Sequence, residues 1–401
     1  MSSVDPVQEI SDWLIGQGLG EGGYDELLAG FCERLNDGGI FVQRSMIAMR
    51  TLHPSIDARG FVWHRGGEVG IDNFATDRGP TEGFLTSPIA YLLQNPDERE
   101  LRRPLIGPDV VVDFPVLEDL KEQGVTDYLM IKVPFKVASL EGYESGMIVS
   151  WASDAPDGFS ETCITALRRL APRLALVIHN RLLSEITINV LDTYVGRQAG
   201  ARILGGEISR GSLQQIDAAI LLMDFRGFTA LSDRTDGAHM AALLNDYFEL
   251  IVPPVLDRGG EILKFMGDGV LATFSLKDLQ DDMVCLTALN AAIEALENVR
   301  DWNAERVSKG APVMQLDVAV HLGRVQFGNV GAGDRLDFTV IGAAVNEASR
   351  IEALSDTLDH HLLVSEEFAA AATQCTARLV SVGRHRLRGV SRSEELFTVE
   401  F

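Results

Sequence analysis

The chain has 401 residues, 58 acidic and 35 basic, giving a formal net charge of −23 at pH 7. So acidic a surface repels a phosphate backbone and excludes a general nucleic-acid binder, whose affinity comes from Lys and Arg set against phosphates. Apolar residues at 46% and charged residues at 23% exclude a disordered or fibrous chain, and the length predicts two or three domains.

Cys32, Cys163, Cys285 and Cys375 lie far apart and form no CxxC pair, so they read as reduced thiols and not as a zinc site or disulfide framework. The opening MSSVDPVQEISDWL is acidic and lacks the basic start and apolar run of a signal peptide. Apolar runs such as Ala218 to Met223 and Leu174 to Ile178 fall far below the ~20 residues that span a bilayer. These features predict a cytoplasmic protein with no membrane span.

In chain order, Asp5 to Ile15 and Tyr24 to Leu35 have helical spacing, the second stopping at Gly38-Gly39. Strand-like runs follow between Phe41 and Gly70, including SMIAMRTL and ARGFVWH, broken by Pro54 and Gly66-Gly67. YLMIKVPF at 128–135 and GMIVSWAS at 146–153 are further strands, and Phe159 to Ile186 reads as one long helix with Pro172 inside it. Helix, antiparallel strands and a closing helix make an α+β module. It resembles the GAF and PAS sensor modules of bacterial signalling proteins, in element order and in the closing FSETCITALRRLAPRLALVIHNRLL helix, and other small α+β folds stay open. The apolar stripe continues through Leu183, Ile186, Val190, Leu191 and Tyr194. That stripe either pairs with its copy in a dimer or packs on its own domain.

From Ile216 the sequence carries chemistry. IDAAILLMDFRGFTALSD opens as a central strand buried on both faces and sets Asp224 at its end. An acid there is either a turn cap or a group that needs a cation nearby. Phe225-Arg226-Gly227-Phe228-Thr229 then offers consecutive backbone N–H groups at a helix start, a cradle for phosphate oxygens. After a helix from Met240 to Leu256, EILKF and VLATF flank Met266-Gly267-Asp268-Gly269, which places Asp268 at a hairpin tip. A GDG turn alone is usually structural. Two acids at neighbouring strand ends beside a phosphate-type loop point instead to a hard metal, because Mg²⁺ takes one or two carboxylates plus substrate phosphates. VAVHLGRVQFGNVGAGDRLDFTVIGAAVNEASRIEALS parses as a strand, a Gly-rich turn, a strand through 338–341 and a helix from Ala343 to Leu354, with Asn346 and Arg350 on one face.

DFRGFTALSD, LKFMGDGVLATF, HLGRVQFGNVG and FTVIGAAVNEASR, in that order, resemble the class III nucleotidyl cyclase catalytic domain, specifically its bacterial Thr-containing adenylate cyclase subgroup. The resemblance implies a ferredoxin-like (palm) domain over 213–401, after a GAF-like regulatory domain at 1–181 and a helical dimerisation linker at 182–212. It implies that Asp224 and Asp268 bind two Mg²⁺ or Mn²⁺ ions per site. The backbone of Phe225, Gly227, Phe228 and Thr229 would bind phosphate, and Lys264 with Thr339 would read the base. Asn346 would orient the ribose, Arg350 would stabilise the transition state and Arg324, in the HLGRVQFG turn, would hold the terminal phosphates. A homodimer with shared active sites is implied, since the family takes its metal aspartates from one chain and the remaining groups from the other. Ala343 and Glu347 depart from the pattern at positions without chemistry. A late triphosphate-binding lysine falls in register on Val390, with Arg388 as a nearby substitute.

Adenine offers an acceptor at N1 and a donor amine at N6, complementary to a donating lysine and an accepting threonine. The expected reaction is therefore conversion of ATP to 3′,5′-cyclic AMP and pyrophosphate, assisted by two metals. The alternatives are a guanylate cyclase and a catalytically silent scaffold, although all four of Asp224, Asp268, Asn346 and Arg350 are present. A diguanylate cyclase is excluded because Gly259-Gly260-Glu261 runs on into Ile262 and Leu263. Isolated His53, His64 and His179 read as surface or core residues, and the His360-His361 pair as solvated.

Overall fold

The computed structural model describes residues 5–51, 56–75, 81–108, 110–135, 145–276, 281–333, 335–389 and 392–399. It is a mixed α+β chain that divides into two compact units, Met1–Val190 and Leu191–Phe401. His53, Pro54 and Val390 lie outside the described residues.

The first unit runs α1 (Pro6–Leu19), α2 (Tyr24–Asp37), β1 (Arg44–Arg50), β2 (Ile56–His64), β3 (Gly70–Ala75), α3 (Glu82–Leu85), α4 (Pro88–Gln94), β4 (Glu100–Pro104), α5 (Pro115–Glu122), β5 (Asp127–Phe135), β6 (Ser145–Ser153) and α6 (Glu161–Val195). Its six strands form one sheet in the order β3-β2-β1-β6-β5-β4, with every pairing antiparallel. The two-residue strand period divides the core. Ile47, Leu129, Ile131, Met147, Val149 and Trp151 pack with residues of α1, α2 and α6, whereas Met46, Tyr128, Met130, Ile148 and Ala152 pack with Leu92, Leu117 and Leu120 of α4 and α5. A sheet covered on both faces reads as continuous apolar runs, which is why β1, β5 and β6 are plain in the sequence.

The strands that periodicity leaves out are both at edges. β3 has Ile71 and Phe74 exposed, and β4, ELRRP, is held by charge instead. Arg102 reaches the buried Asp127 at 2.8 Å and Arg103 reaches Asp113 at 2.7 Å. Pro172 leaves α6 unbroken, and the helix continues to Val195, where Gly196 takes φ +85°. Among the described residues α6 alone is long and apolar enough to cross a bilayer, while Leu167, Leu170, Leu174 and Ile178 of the same helix lie in the first core.

The second unit runs α7 (Arg197–Leu204), β7 (Leu213–Arg226), α8 (Phe228–Ser232), α9 (Gly237–Leu256), β8 (Glu261–Met266), β9 (Gly269–Ser275), α10 (Asp281–Ser308), β10 (Gln315–Ala332), β11 (Arg335–Ile341), α11 (Ala343–Glu352), α12 (Ser355–Leu358), β12 (Leu362–Val364), α13 (Glu366–Ala371), β13 (Leu379–Arg386) and β14 (Ser393–Val399). The sheet order is β13-β14-β12-β10-β7-β9-β8, with β11 paired to β10. One face carries α9, α10 and α13 over Leu221, Met223, Val318 and Val320. The other carries α7 and α11 over Ile220, Leu222 and Ala319, and there Phe327, Phe338 and Val340 of the β10–β11 hairpin join the same cluster.

The HLGRVQFG segment is not the turn that its glycines suggest. It is mid-strand in β10, and β7 pairs with it without interruption from Gln315 opposite Arg226 to Gly328 opposite Leu213. The glycines serve close approach: a Cβ on Gly323 would lie 2.5 Å from the Ala344 Cβ, and one on Gly328 would lie 2.0 Å from the Ser212 carbonyl oxygen. Leu174→Ala, at a fully buried position of α6, should destabilise the first unit by about 2–5 kcal/mol. Urea denaturation followed by Trp63 and Trp151 fluorescence would measure this, and a loss below about 1 kcal/mol would contradict the assigned packing.

Candidate active site

The apolar run of β7 delivers Asp224 to the end of the sheet, opposite Asp317 on β10. On its other side β9 places Val270 opposite Met223. The β8–β9 hairpin closes through Gly267 and Asp268, with Met266 paired to Gly269 and Gly267 at φ +71°. A Cβ on Gly269 would lie 2.9 Å from Asp224 Oδ1, so glycine is what admits the carboxylate beside the hairpin. The structure thus brings Asp224 and Asp268 together.

Their electrostatics are those of a site short of positive charge. Burial pushes the Asp224 carboxyl up to about 6, with Asp268 and Asp317 adding to the rise, and burial raises Asp268 as well. Glu352, at the end of α11, is pushed up to about 7 by burial, then by Asp224, Asp317 and Asp268, against a lowering by Arg226. Arg226 is itself committed to Asp317 through hydrogen bonds of 2.8 and 3.0 Å. His361 Nδ1 lies 2.7 Å from Asp317 Oδ1, so this ring is hydrogen-bonded to an acid of the fold and not freely solvated. Asp317, Glu352 and His361 carry no motif of their own; only the β7–β10 register, once known, points to Asp317.

Hard oxygen donors crowded without a compensating cation fit Mg²⁺ or Mn²⁺. Among the described residues no three His, Cys, Asp or Glu side chains form a complete cage.

Beyond Asp224 the chain leaves the sheet at Gly227, which takes φ +86° and caps α8. Phe225 is buried against Tyr247, with ring centroids 4.9 Å apart, so its side chain belongs to the core and only its backbone is open to a phosphate role. Phe228 also packs on that core, while Gly227 and Thr229 are exposed.

Lys264 is exposed on β8, and its Nζ donates to Asp337 Oδ2 at 2.5 Å. Asp337 is two residues before Thr339 on β11, and the strand period puts both on one face. The curl of the β10–β11 hairpin over the sheet therefore brings the Thr339 strand to Lys264. Sequence reasoning missed Asp337, because an acid two positions from a candidate site has no distinguishing pattern.

Asn346 is exposed on α11 and Arg350 half-buried one turn later; a Cβ on Gly389 would be 3.6 Å from the Arg350 guanidinium, and Arg388 beside it is exposed. Arg324 stands apart. It is exposed and pairs with Asp217 at 2.9 Å, seven rungs along the ladder from the Asp224–Asp317 pair (224 minus 217). By strand alternation it also projects from the opposite face. Within one chain the structure does not bring Arg324 to the aspartates.

This curled sheet, with two acids at one end of its central strand and its hairpin, defines a nucleotide-cyclase type of domain. Residues 212–400 match the family described as the Adenylate and Guanylate cyclase catalytic domain, and this unit is a class III cyclase catalytic domain. The chain is 36% identical over 151 residues to the adenylate cyclase of Anabaena cylindrica, covering 37% of this chain and 29% of that one. It is 26% identical over 185 residues to adenylate cyclase 1 of Rhizobium meliloti, covering 46% and 27%. The adenylyl cyclase CyaB structure from P. aeruginosa aligns at 25% identity and a TM-score of 0.43, covering 47% of this chain and 96% of that one. The chain spans about a third of the length of the curated relatives it matches first.

Asp224 and Glu352 bind protons more tightly folded than at their ordinary values of 3.8 and 4.5. The native state therefore holds more protons than the unfolded one, and stability falls as pH rises from about 4 to about 7. A cation that binds only the native site reverses the loss. Metal-free protein should melt at a lower temperature at pH 8 than at pH 6, and Mn²⁺ should restore part of the difference. Asp224→Asn should raise the metal-free melting temperature at pH 8 and blunt the Mn²⁺ effect; an Asn variant as responsive to Mn²⁺ as the parent would contradict the assignment.

Proposed function

We propose that the protein is an adenylate cyclase that converts ATP to 3′,5′-cyclic AMP and pyrophosphate in a cytoplasmic homodimer with shared active sites. The observation that carries this reading is the pair of half-buried carboxylates, Asp224 and Asp268, set at a strand end and a hairpin tip within a cyclase catalytic domain. Its relatives named as adenylate cyclases support the same substrate class.

Asp224 and Asp268 would hold two divalent ions, which supply charge neutralisation at the α-phosphate and a more acidic ribose 3′-hydroxyl. The backbone of Gly227, Phe228 and Thr229 cradles phosphate oxygens. Lys264 donates to adenine N1 while the Thr339 hydroxyl accepts from the N6 amine. Asn346 fixes the ribose so that the 3′-oxygen lies in line with the leaving pyrophosphate. Arg350 places positive charge where the transition state gains negative charge. Arg324 holds the terminal phosphates, and because it leaves the sheet on the face opposite Asp224, a shared site in which it serves the partner chain suits it.

The N-terminal residues 1–181 are read as a GAF-like regulatory domain, supported by a single antiparallel sheet layered between helices. Residues 182–212 serve as the linker. The exposed apolar residues Ile188, Val190 and Tyr194 on α6 support pairing with a second copy. α7 supports transmission: Glu261 Oε1 accepts from the Gln198 backbone N–H at 2.9 Å, and Arg202 lies 5.3 Å from both the Phe327 and Phe338 rings. These contacts tie the linker to the strands of Lys264 and Thr339.

Purified protein given ATP with Mg²⁺ or Mn²⁺ should release cyclic AMP, and Asp224→Ala should lower the rate at least about 100-fold. A parent protein silent with ATP and GTP and with both metals would overturn the reading. Lys264→Glu combined with Thr339→Cys should shift preference toward GTP. Asp268→Ala and Arg350→Ala proteins, each inactive alone, should regain activity when mixed, and verified heterodimers without recovery would rule out shared sites.

A further inference from the structure

α6 leaves the first core at Ile186, its last buried residue. As far as Ile178 the helix packs into the main core of its unit. Beyond that, Leu182 and Ile186 form a small cluster of their own with Phe135 and Leu183. Past Ile186 the helix is largely uncovered, with Thr187, Ile188, Val190, Thr193 and Tyr194 exposed.

At this point of exit the helix is held by polar contacts. Asn180 Nδ2 donates to the Gly18 carbonyl at 2.8 Å, and Arg181 donates to the carbonyls of Gln17 and Gly23, on either side of the turn between α1 and α2. One turn later both carboxylate oxygens of Glu185 are taken. Tyr24, the first residue of α2, donates its hydroxyl to Oε2 at 3.0 Å, and Arg59 of β2 pairs with Oε1. Arg59 shares the sheet face of Phe61 and Trp63, which α2 and α6 cover. One side chain of α6 therefore joins it to a helix and a strand that lie 161 and 126 residues away in sequence.

The clasp is tight enough to hold and incomplete enough to open. The Arg59 and Glu185 side chains are 25% and 23% exposed, so breaking the pair leaves a poorly solvated charge on each side. Against that, Arg59 Nε and Arg181 Nε are buried without hydrogen-bond partners, and each orphaned donor raises the free energy of the closed state. Burial, and then Glu185, pushes the Tyr24 phenol up, so it stays a donor at neutral pH. Two buried apolar side chains back the clasp, so the polar contacts decide whether this stretch stays docked.

We propose that the Tyr24–Glu185–Arg59 clasp is a conformational switch on the linker helix. Closed, it docks α6 on the first unit as far as Ile186; open, it releases residues 182–195 and changes the output of the catalytic half. The second clause rests on the reading of 182–212 as the linker between a regulatory and a cyclase half.

The test is hydrogen exchange on the full chain, read beside cyclic AMP formation with ATP and Mn²⁺. Tyr24→Phe keeps the ring, which packs 5.1 Å from that of Phe61, and removes only the donated bond. It should speed exchange of amides 183–189 at least about five-fold, and Arg59→Met at least about ten-fold. In a Glu185→Ala background, Tyr24→Phe should add less than about two-fold. Glu185→Gln, which keeps an acceptor for Tyr24, should fall between the parent and Glu185→Ala, and serves as the background if the Ala variant does not fold. Tyr24→Phe and Arg59→Met should change kcat at least about three-fold in the same direction, with KM for ATP within about two-fold, since both residues belong to the first unit. A parent without cyclase activity would defeat the cyclase reading, and the exchange rates would then decide the clasp alone. Unchanged exchange over 183–189, an equal effect of Tyr24→Phe with and without Glu185, or faster exchange with unchanged kcat would overturn the switch.

Discussion

The unbroken antiparallel register between β7 and β10 is the constraint on which the catalytic unit depends. It fixes Asp224 opposite Asp317 at one end and Arg324 opposite Asp217 further along. A slip of one residue would move Asp224 to the face covered by α9 and α10, away from Glu352 and α11. The register leaves almost no freedom to slip, because both strands are buried on two sides and two glycines of β10 sit at points where Ala344 and Ser212 leave no room for a Cβ. The motif that looks like a glycine-rich turn is therefore a strand whose glycines record what lies against it.

That distinction explains what the sequence could and could not disclose. The buried runs ILLM and VLATF, the GDG tip and the helix with Asn346 and Arg350 were legible because each has a local signature in periodicity or turn chemistry. β4 was invisible because arginine pairs to Asp127 and Asp113 replace the apolar alternation expected of a strand. Asp337, Asp317 and Glu352 were invisible for a different reason: each acquires meaning only from a partner distant in sequence. Lys264 meets Asp337 across 73 residues, and Arg226 meets Asp317 across 91.

The acid cluster also separates structural charge from functional charge. Arg226 and His361 both satisfy Asp317, so that acid is neutralised within the fold. Burial pushes Asp224, Asp268 and Glu352 upward, with Asp268 adding to the rise at Asp224 and both aspartates adding to the rise at Glu352. A fold that kept these acids for stability alone would place a cation beside Asp224 as it does beside Asp317. Its omission costs stability at neutral pH, a cost that a cation bound only by the native site would remove, linking folding of the site to its loading.

So acidic a chain needs local positive charge if it is to hold a polyanionic nucleotide. Lys264 and Arg324 are each already paired with a carboxylate, Asp337 and Asp217. Both pairs are exposed, and exposed pairs contribute little to stability. A nucleotide that met either side chain would therefore displace its carboxylate at little cost. The Arg226–Asp317 pair, with Asp317 only 4% exposed, behaves in the opposite way, since removing one member of a buried pair costs about 3–5 kcal/mol. Positive charge held by exposed partners is available to substrate, whereas Arg226, although nearest in sequence to Asp224, is committed to the fold.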